Sequence, residues 1–212
     1  AGADEATIAT EEQTPSFAEG WRIVWKIPTL KRIWWSLPFL AASLIGFASI
    51  AGLVYDEIFG LDERGRGLAA AAAEPWAVVG LVYGARMGTR LLAKGPEHVL
   101  QFLSKVTIVV ALALILFAAA PNVGVAIAAH SVITAAFAII APGVYATLSL
   151  AIPPRARSMG FAVAALWVIP GLVMLPLIGW VGDQVGLRWG MLLMIPVFLI
   201  GGAVISSSRQ TI

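Results

Sequence analysis

The sequence contains no cysteine and only two histidines among its 212 residues. Disulfides and thiolate metal sites are thereby excluded, and His98 and His130 are too few and too far apart for a convincing metal centre. Charge is scarce as well: Asp, Glu, Lys and Arg make up 12% of the chain and apolar residues 59%, whereas soluble domains carry about 25% and roughly 45–50%. A water-soluble globule is excluded on composition alone. Paired carboxylates, HExxH and GxSxG are also missing, which argues against an intramembrane enzyme. No interleaved basic and aromatic motif for RNA or DNA is present, and nothing in the sequence calls for a cofactor.

What the chain does have is six long apolar stretches. A helix crossing a hydrocarbon layer of about 30 Å needs about 20 mostly apolar residues, because it rises about 1.5 Å per residue. Stretches of that kind are predicted at 34–55, 68–88, 102–120, 123–150, 159–180 and 188–206. The fold class expected is all-α, a polytopic membrane protein of six spans. Placing the connections alternately on two sides puts Arg22, Lys26, Lys31, Arg32, Arg86, Arg90, Lys94, Lys105, Arg155, Arg157 and Arg209 on one side. Arg64, Arg66 and Arg188 fall on the other, a division of 11 against 3. Cytoplasmic loops collect Lys and Arg, so both termini are expected inside, in a bacterial inner (cytoplasmic) membrane.

The chain begins at Ala1 without a methionine, and its first 20 residues are polar and acidic, with Asp4, Glu5, Glu11, Glu12 and Glu19. They have the composition of a disordered linker and lack the apolar core of a signal peptide. The domain reading is therefore a polar linker at 1–16, a cytoplasmic interfacial amphipathic segment at 17–33, a six-helix transmembrane domain at 34–206 and a cytoplasmic tail at 207–212. The whole is expected to be a piece of a longer polypeptide. Within 17–33, Trp21 and Trp25 are four apart, as are Arg22 and Lys26, giving an aromatic face beside a basic one on a helix lying along the inner membrane surface. An ordinary lead-in to the first span is the plainer alternative.

Three glycines spaced by four, Gly80, Gly84 and Gly88, put a small-residue face on the second span where another helix backbone can approach. Prolines interrupt the later spans at Pro142-Gly143, Pro170-Gly171, Pro176 and Pro196. Each removes a backbone donor and kinks its helix; these positions are expected to act as hinges.

Local motifs add a family resemblance. Gly84-Ala85-Arg86-Met87-Gly88-Thr89-Arg90 is similar to a degenerate copy of the cytoplasmic glycine, aspartate, arginine loop of the major facilitator superfamily, with Arg90 at the arginine position and Thr89 where the motif has aspartate. Ile152-Pro153-Pro154-Arg155-Ala156-Arg157 resembles the short basic turn ahead of that family's eleventh helix. Pro176 to Trp189, with Gly182-Asp183 and Arg188, resembles the outer turn between its last two helices. In this order and on these sides, residues 34–206 resemble the carboxy-terminal six-helix half of such a transporter. The resemblance implies a second, amino-terminal half on the same or another chain, with substrate bound between the halves near the midplane. It also implies gate or loop roles for Arg86, Arg90, Arg155, Arg157, Asp183 and Arg188.

Two ionisable residues stand out inside the spans. Glu74 lies about 9 Å into a helix begun near residue 68, a depth that costs several kcal/mol unless the group faces a cavity or is protonated. Alternatively, Glu74-Pro75 starts the helix and the carboxylate stays in water. His130, beside Ser131 and Thr134, is able to exchange a proton near neutrality or is simply hydrogen-bonded within the bundle. The expected function is half of a secondary active transporter moving a small hydrophobic or amphipathic substrate by alternating access, with efflux the expected direction. The alternative is a non-transporting membrane module that docks or regulates a partner transporter or ATPase.

Overall fold

A computed structural model describes residues 16–207. The linker expected at 1–16 therefore lies outside the described residues except for Ser16, as does the tail with Arg209 except for Ser207. Helix α1 spans Phe17–Trp25, α2 Pro28–Leu53, α3 Glu63–Ala73, α4 Pro75–Leu92, α5 Pro96–Ala118, α6 Val123–Ala151, α7 Arg157–Val185 and α8 Leu187–Ser207. A π-helical turn, Val54–Ile58, extends α2, and a single 3-10 turn, Pro154–Ala156, precedes α7.

Helix starts follow local chemistry. Ser16, Asp62 and Asn122 each accept a backbone N–H three residues on, with the Asp62 bond to Gly65 at 2.7 Å and the Asn122 bond to Val125 at 3.0 Å. Such side chains satisfy donors that a helix start leaves free. Pro28 and Pro96 stand at first-turn positions, where the missing N–H costs nothing. Among the described residues, six helical stretches are long and apolar enough to cross a membrane: Leu30–Ile58, Glu63–Leu92, Glu97–Ala118, Val123–Ala151, Pro154–Val185 and Leu187–Ser207. The observed helices run past the 34–55 and 68–88 stretches of the sequence reading because capping and charged residues at their ends also adopt helical backbone.

Four helices, α2, α5, α6 and α8, form the centre, with α6 packed on α5, α5 on α8, and α8 on α2. The second span, α3–α4, leans mainly on α6, and the fifth, α7, leans on α2 and α8. Within a bilayer, close backbone approach replaces the hydrophobic drive, and two glycines show it here. A Cβ at Gly80 would collide with the Ala135 carbonyl of α6, and one at Gly171 with the Pro38 carbonyl of α2.

Three sequence expectations change. The second span reaches back to Glu63, where Asp62 caps it, rather than beginning near residue 68; Pro75 is the first residue of α4, as the Glu74-Pro75 alternative has it, but α3 precedes it and the Glu74 N–H bonds the Ala70 carbonyl at 3.2 Å. The small-residue face of α4 is shorter than its spacing suggests: Gly80 and Gly84 meet Ala135 and Ile139 of α6, while Gly88 has nothing within 4 Å. The segment 17–33 is also two elements, α1 and the first turns of α2, joined through Lys26 and Ile27.

Candidate functional site

Two features lie within the membrane-spanning stretches. The first is the break between α3 and α4. Proline at 75 offers no donor, so the carbonyl one turn back loses its partner and the helix is interrupted at Glu74. Glu74 lies eleven residues beyond Glu63, about 16 Å along the axis. Its side chain is exposed and makes no hydrogen bond or ion pair among the described residues.

The second feature is the surroundings of His130. The α4 and α6 helices run parallel, and their contacts pair Gly80 with Ala135 and Gly84 with Ile139, a constant offset of 55 residues. Extending that offset by two turns sets Glu74 level with Ala129 and His130. The imidazole is half-buried among Phe47 at 5.0 Å, Tyr55 at 5.9 Å and Phe117 at 6.0 Å between ring centroids. Tyr55 belongs to the π-helical turn, and its hydroxyl is 3.2 Å from His130 Nδ1, a hydrogen bond whose direction follows the histidine tautomer. Phe137 and Phe198 continue the cluster toward α8. Among the described residues His130 has one polar partner, Tyr55, and it packs as an aromatic ring among aromatic rings.

On the side of the bundle where α4 ends, a cavity of about 280 Å³ opens between α4, α5 and α6. Its walls include Leu81, Gly88, Phe102, Pro142, Gly143 and Leu150, with Thr89 and Thr147 as the polar residues among them. Both threonine hydroxyls already donate to carbonyls on their own helices, Thr89 to Ala85 at 2.9 Å and Thr147 to Gly143 at 2.8 Å. The wall therefore presents almost no free donor, and the space suits a hydrophobic or amphipathic group. Gly88 and the Pro142-Gly143 pair, singled out for packing and hinging, here leave volume unfilled. Helices α6 and α7 nonetheless run as continuous helices through Pro142, Pro170 and Pro176.

The remaining loop residues separate by role. Arg86, Arg90, Arg155 and Asp183 are exposed and form no ion pair among the described residues. Arg157 donates to the Ser149 carbonyl at 3.3 Å, and Arg188 to the Ala120 carbonyl at 3.4 Å, where it closes the end of α5. The structure does not bring Glu74, the arginines and Asp183 into one site. Two contributors escaped the sequence reading. Tyr55 hydrogen-bonds His130 across the bundle, and Arg32, counted only for its charge, donates to the Ser207 carbonyl at the end of α8.

No family model matches the sequence, and no curated protein matches it. Among solved structures, the crystal structure of the E. coli fucose:proton symporter is similar over 92% of this chain, with a TM-score of 0.69 and 16% sequence identity. The chain spans 45% of that symporter's length. At this identity the similarity establishes the fold.

Proposed function

With the fold of one six-helix half of a major facilitator superfamily transporter as the premise, we propose that this chain is half of a secondary active transporter. It moves a small hydrophobic or amphipathic substrate by alternating access, in the direction of efflux, by rocking against an amino-terminal six-helix half on the same or another chain. Glu74 is its proton-coupling residue, and both termini face the cytoplasm of a bacterial inner membrane.

The observation that carries the proposal is the pairing of an uncovered face with a charge. Only 17% of the most apolar stretch of the second span and 22% of that of the fifth are buried, against 50% in the first and third. Lipid alone could cover such apolar faces. Glu74, a carboxylate within the second span, is expensive in hydrocarbon unless it meets a cavity or partner. An aqueous cleft between two halves supplies that cavity. The division of basic residues, 11 against 3, supports the orientation.

Reconstitution into proteoliposomes tests this reading. The chain joined or co-expressed with its other half should accumulate an amphipathic substrate under a proton gradient, and the chain alone should insert without transporting. Full transport by a demonstrated monomer of this chain would overturn the half-transporter assignment.

A further inference from the structure

The corner where α1 meets the start of α7 gathers aromatic and basic side chains that the proposed coupling at Glu74 does not involve. Gly20 and Val24 turn one face of α1 inward: Val24 is fully buried, and a Cβ at Gly20 would rest 3.5 Å from Met159 of α7. The same helix packs against the 3-10 turn Pro154–Ala156. About 100° around its axis, Trp21 and Trp25 stack face to face, centroids 5.2 Å apart and planes 13° from parallel, with 38% and 39% of each surface exposed. About a further 100° around, Arg22 and Lys26 form a basic stripe one turn long. Lys31, from the first turn of α2, places its ammonium 5.7 Å from the Trp25 ring centroid. Arg155 lies exposed in the adjoining 3-10 turn. Arg22, Lys26, Lys31 and Arg155 have no ion-pair partner among the described residues, and Glu19 is the one acid in α1.

We propose that this corner is a binding site for the headgroups of anionic phospholipids in the membrane leaflet it touches. Arg22, Lys26, Lys31 and Arg155 supply the charge, and the stacked tryptophans lie between headgroup and acyl chain. The connection decides the occupant. Only Lys26 and Ile27 separate α1 from the helix of the first span, and two residues reach about 7 Å at full extension. The basic stripe therefore cannot leave the bilayer surface, where lipid phosphate is the nearest anion. Tryptophan prefers this depth because its ring is apolar and its N–H is polar. A shallow groove bordered by Ala18, Trp21, Arg22, Trp25 and Lys26 gives the headgroup a place to sit.

The test is lipid binding to the delipidated full chain, read by native mass spectrometry during titration with phosphatidylglycerol or phosphatidylcholine. Phosphatidylglycerol should bind in preference. Neutralising Arg22, Lys26 and Arg155 together to Gln should weaken it about 100-fold, roughly fivefold for each cation at a membrane surface. Arg64→Gln with Arg66→Gln, which removes charge from the opposite end of the bundle, should leave it unchanged. Arg22→Lys with Lys26→Arg should retain binding, which separates charge from damage to the fold. Equal affinity for the two lipids, an unaffected triple variant, or displacement by millimolar inorganic phosphate would overturn the site.

Discussion

The second and third spans are built from the same apolar residue types and meet the same helix, α6, yet they use it in opposite ways. On α5, half of the most apolar stretch is buried, by large side chains such as Leu103, Leu114 and Phe117. On α3–α4 only 17% is buried, and the face that does pack is small: Ala69, Ala73 and Gly80. The difference is one of packing. The third span fills space with side chains, whereas the second, at the edge of the bundle, attaches through backbone and leaves its large residues, Val78, Val79 and Leu81 among them, exposed.

The largest test of this contrast is to remove the attachment. Gly80→Val and Gly171→Val each place a branched side chain against a carbonyl of the neighbouring helix. Overpacking costs typically 1–3 kcal/mol, and more where backbone must move. Both variants should lose most of the folded, monodisperse protein in detergent. Gly88→Val is the counterpart, since a Cβ there has nothing within 4 Å. It should fold normally and instead occlude the cavity between α4, α5 and α6, reducing substrate binding. Equal yields of all three variants would show that the attachment is not made through glycine.

The next test concerns the uncovered face. Glu74→Gln mimics the protonated acid, so in the assembled transporter substrate binding should survive while proton-driven accumulation and its pH dependence are lost. Undiminished accumulation with an unchanged pH profile would return Glu74 to the role of a solvated residue at a helix break.

Much of this architecture was legible in the sequence. Six spans follow from hydropathy, because in lipid every backbone group must be satisfied internally and a helix is the simplest way to do so. Gly80 and Gly84 were readable as a contact face from spacing alone. The start of the second span was not, since Asp62-Glu63-Arg64 looks like a hydrophilic loop until Asp62 is seen to cap a helix. The neighbours of His130 were hidden for another reason: Phe47, Tyr55 and Phe117 come from distant stretches, and no local pattern encodes which of many aromatic residues will meet. Nor does hydropathy separate a lipid-facing from a partner-facing surface, as both are apolar.

The smallest expected effect separates a packed centre from a working one. Tyr55→Phe deletes the hydroxyl that is 3.2 Å from His130 Nδ1 and leaves a half-buried ring nitrogen without that partner, a loss of roughly 0.5–1.5 kcal/mol. His130→Phe removes the other side of the same bond and keeps a ring among Phe47 and Phe117. Each single change should therefore lower thermal stability in detergent by a few degrees. The double variant should be less destabilised than the sum of the two, because replacing both partners of a buried hydrogen bond strands no polar group. Transport should persist in all three, with turnover that follows the amount of folded protein. If instead His130→Phe abolished accumulation at undiminished stability, the imidazole would belong to the transport cycle, and the pairing of Glu74 with a neighbour at the same depth would replace Glu74 acting alone.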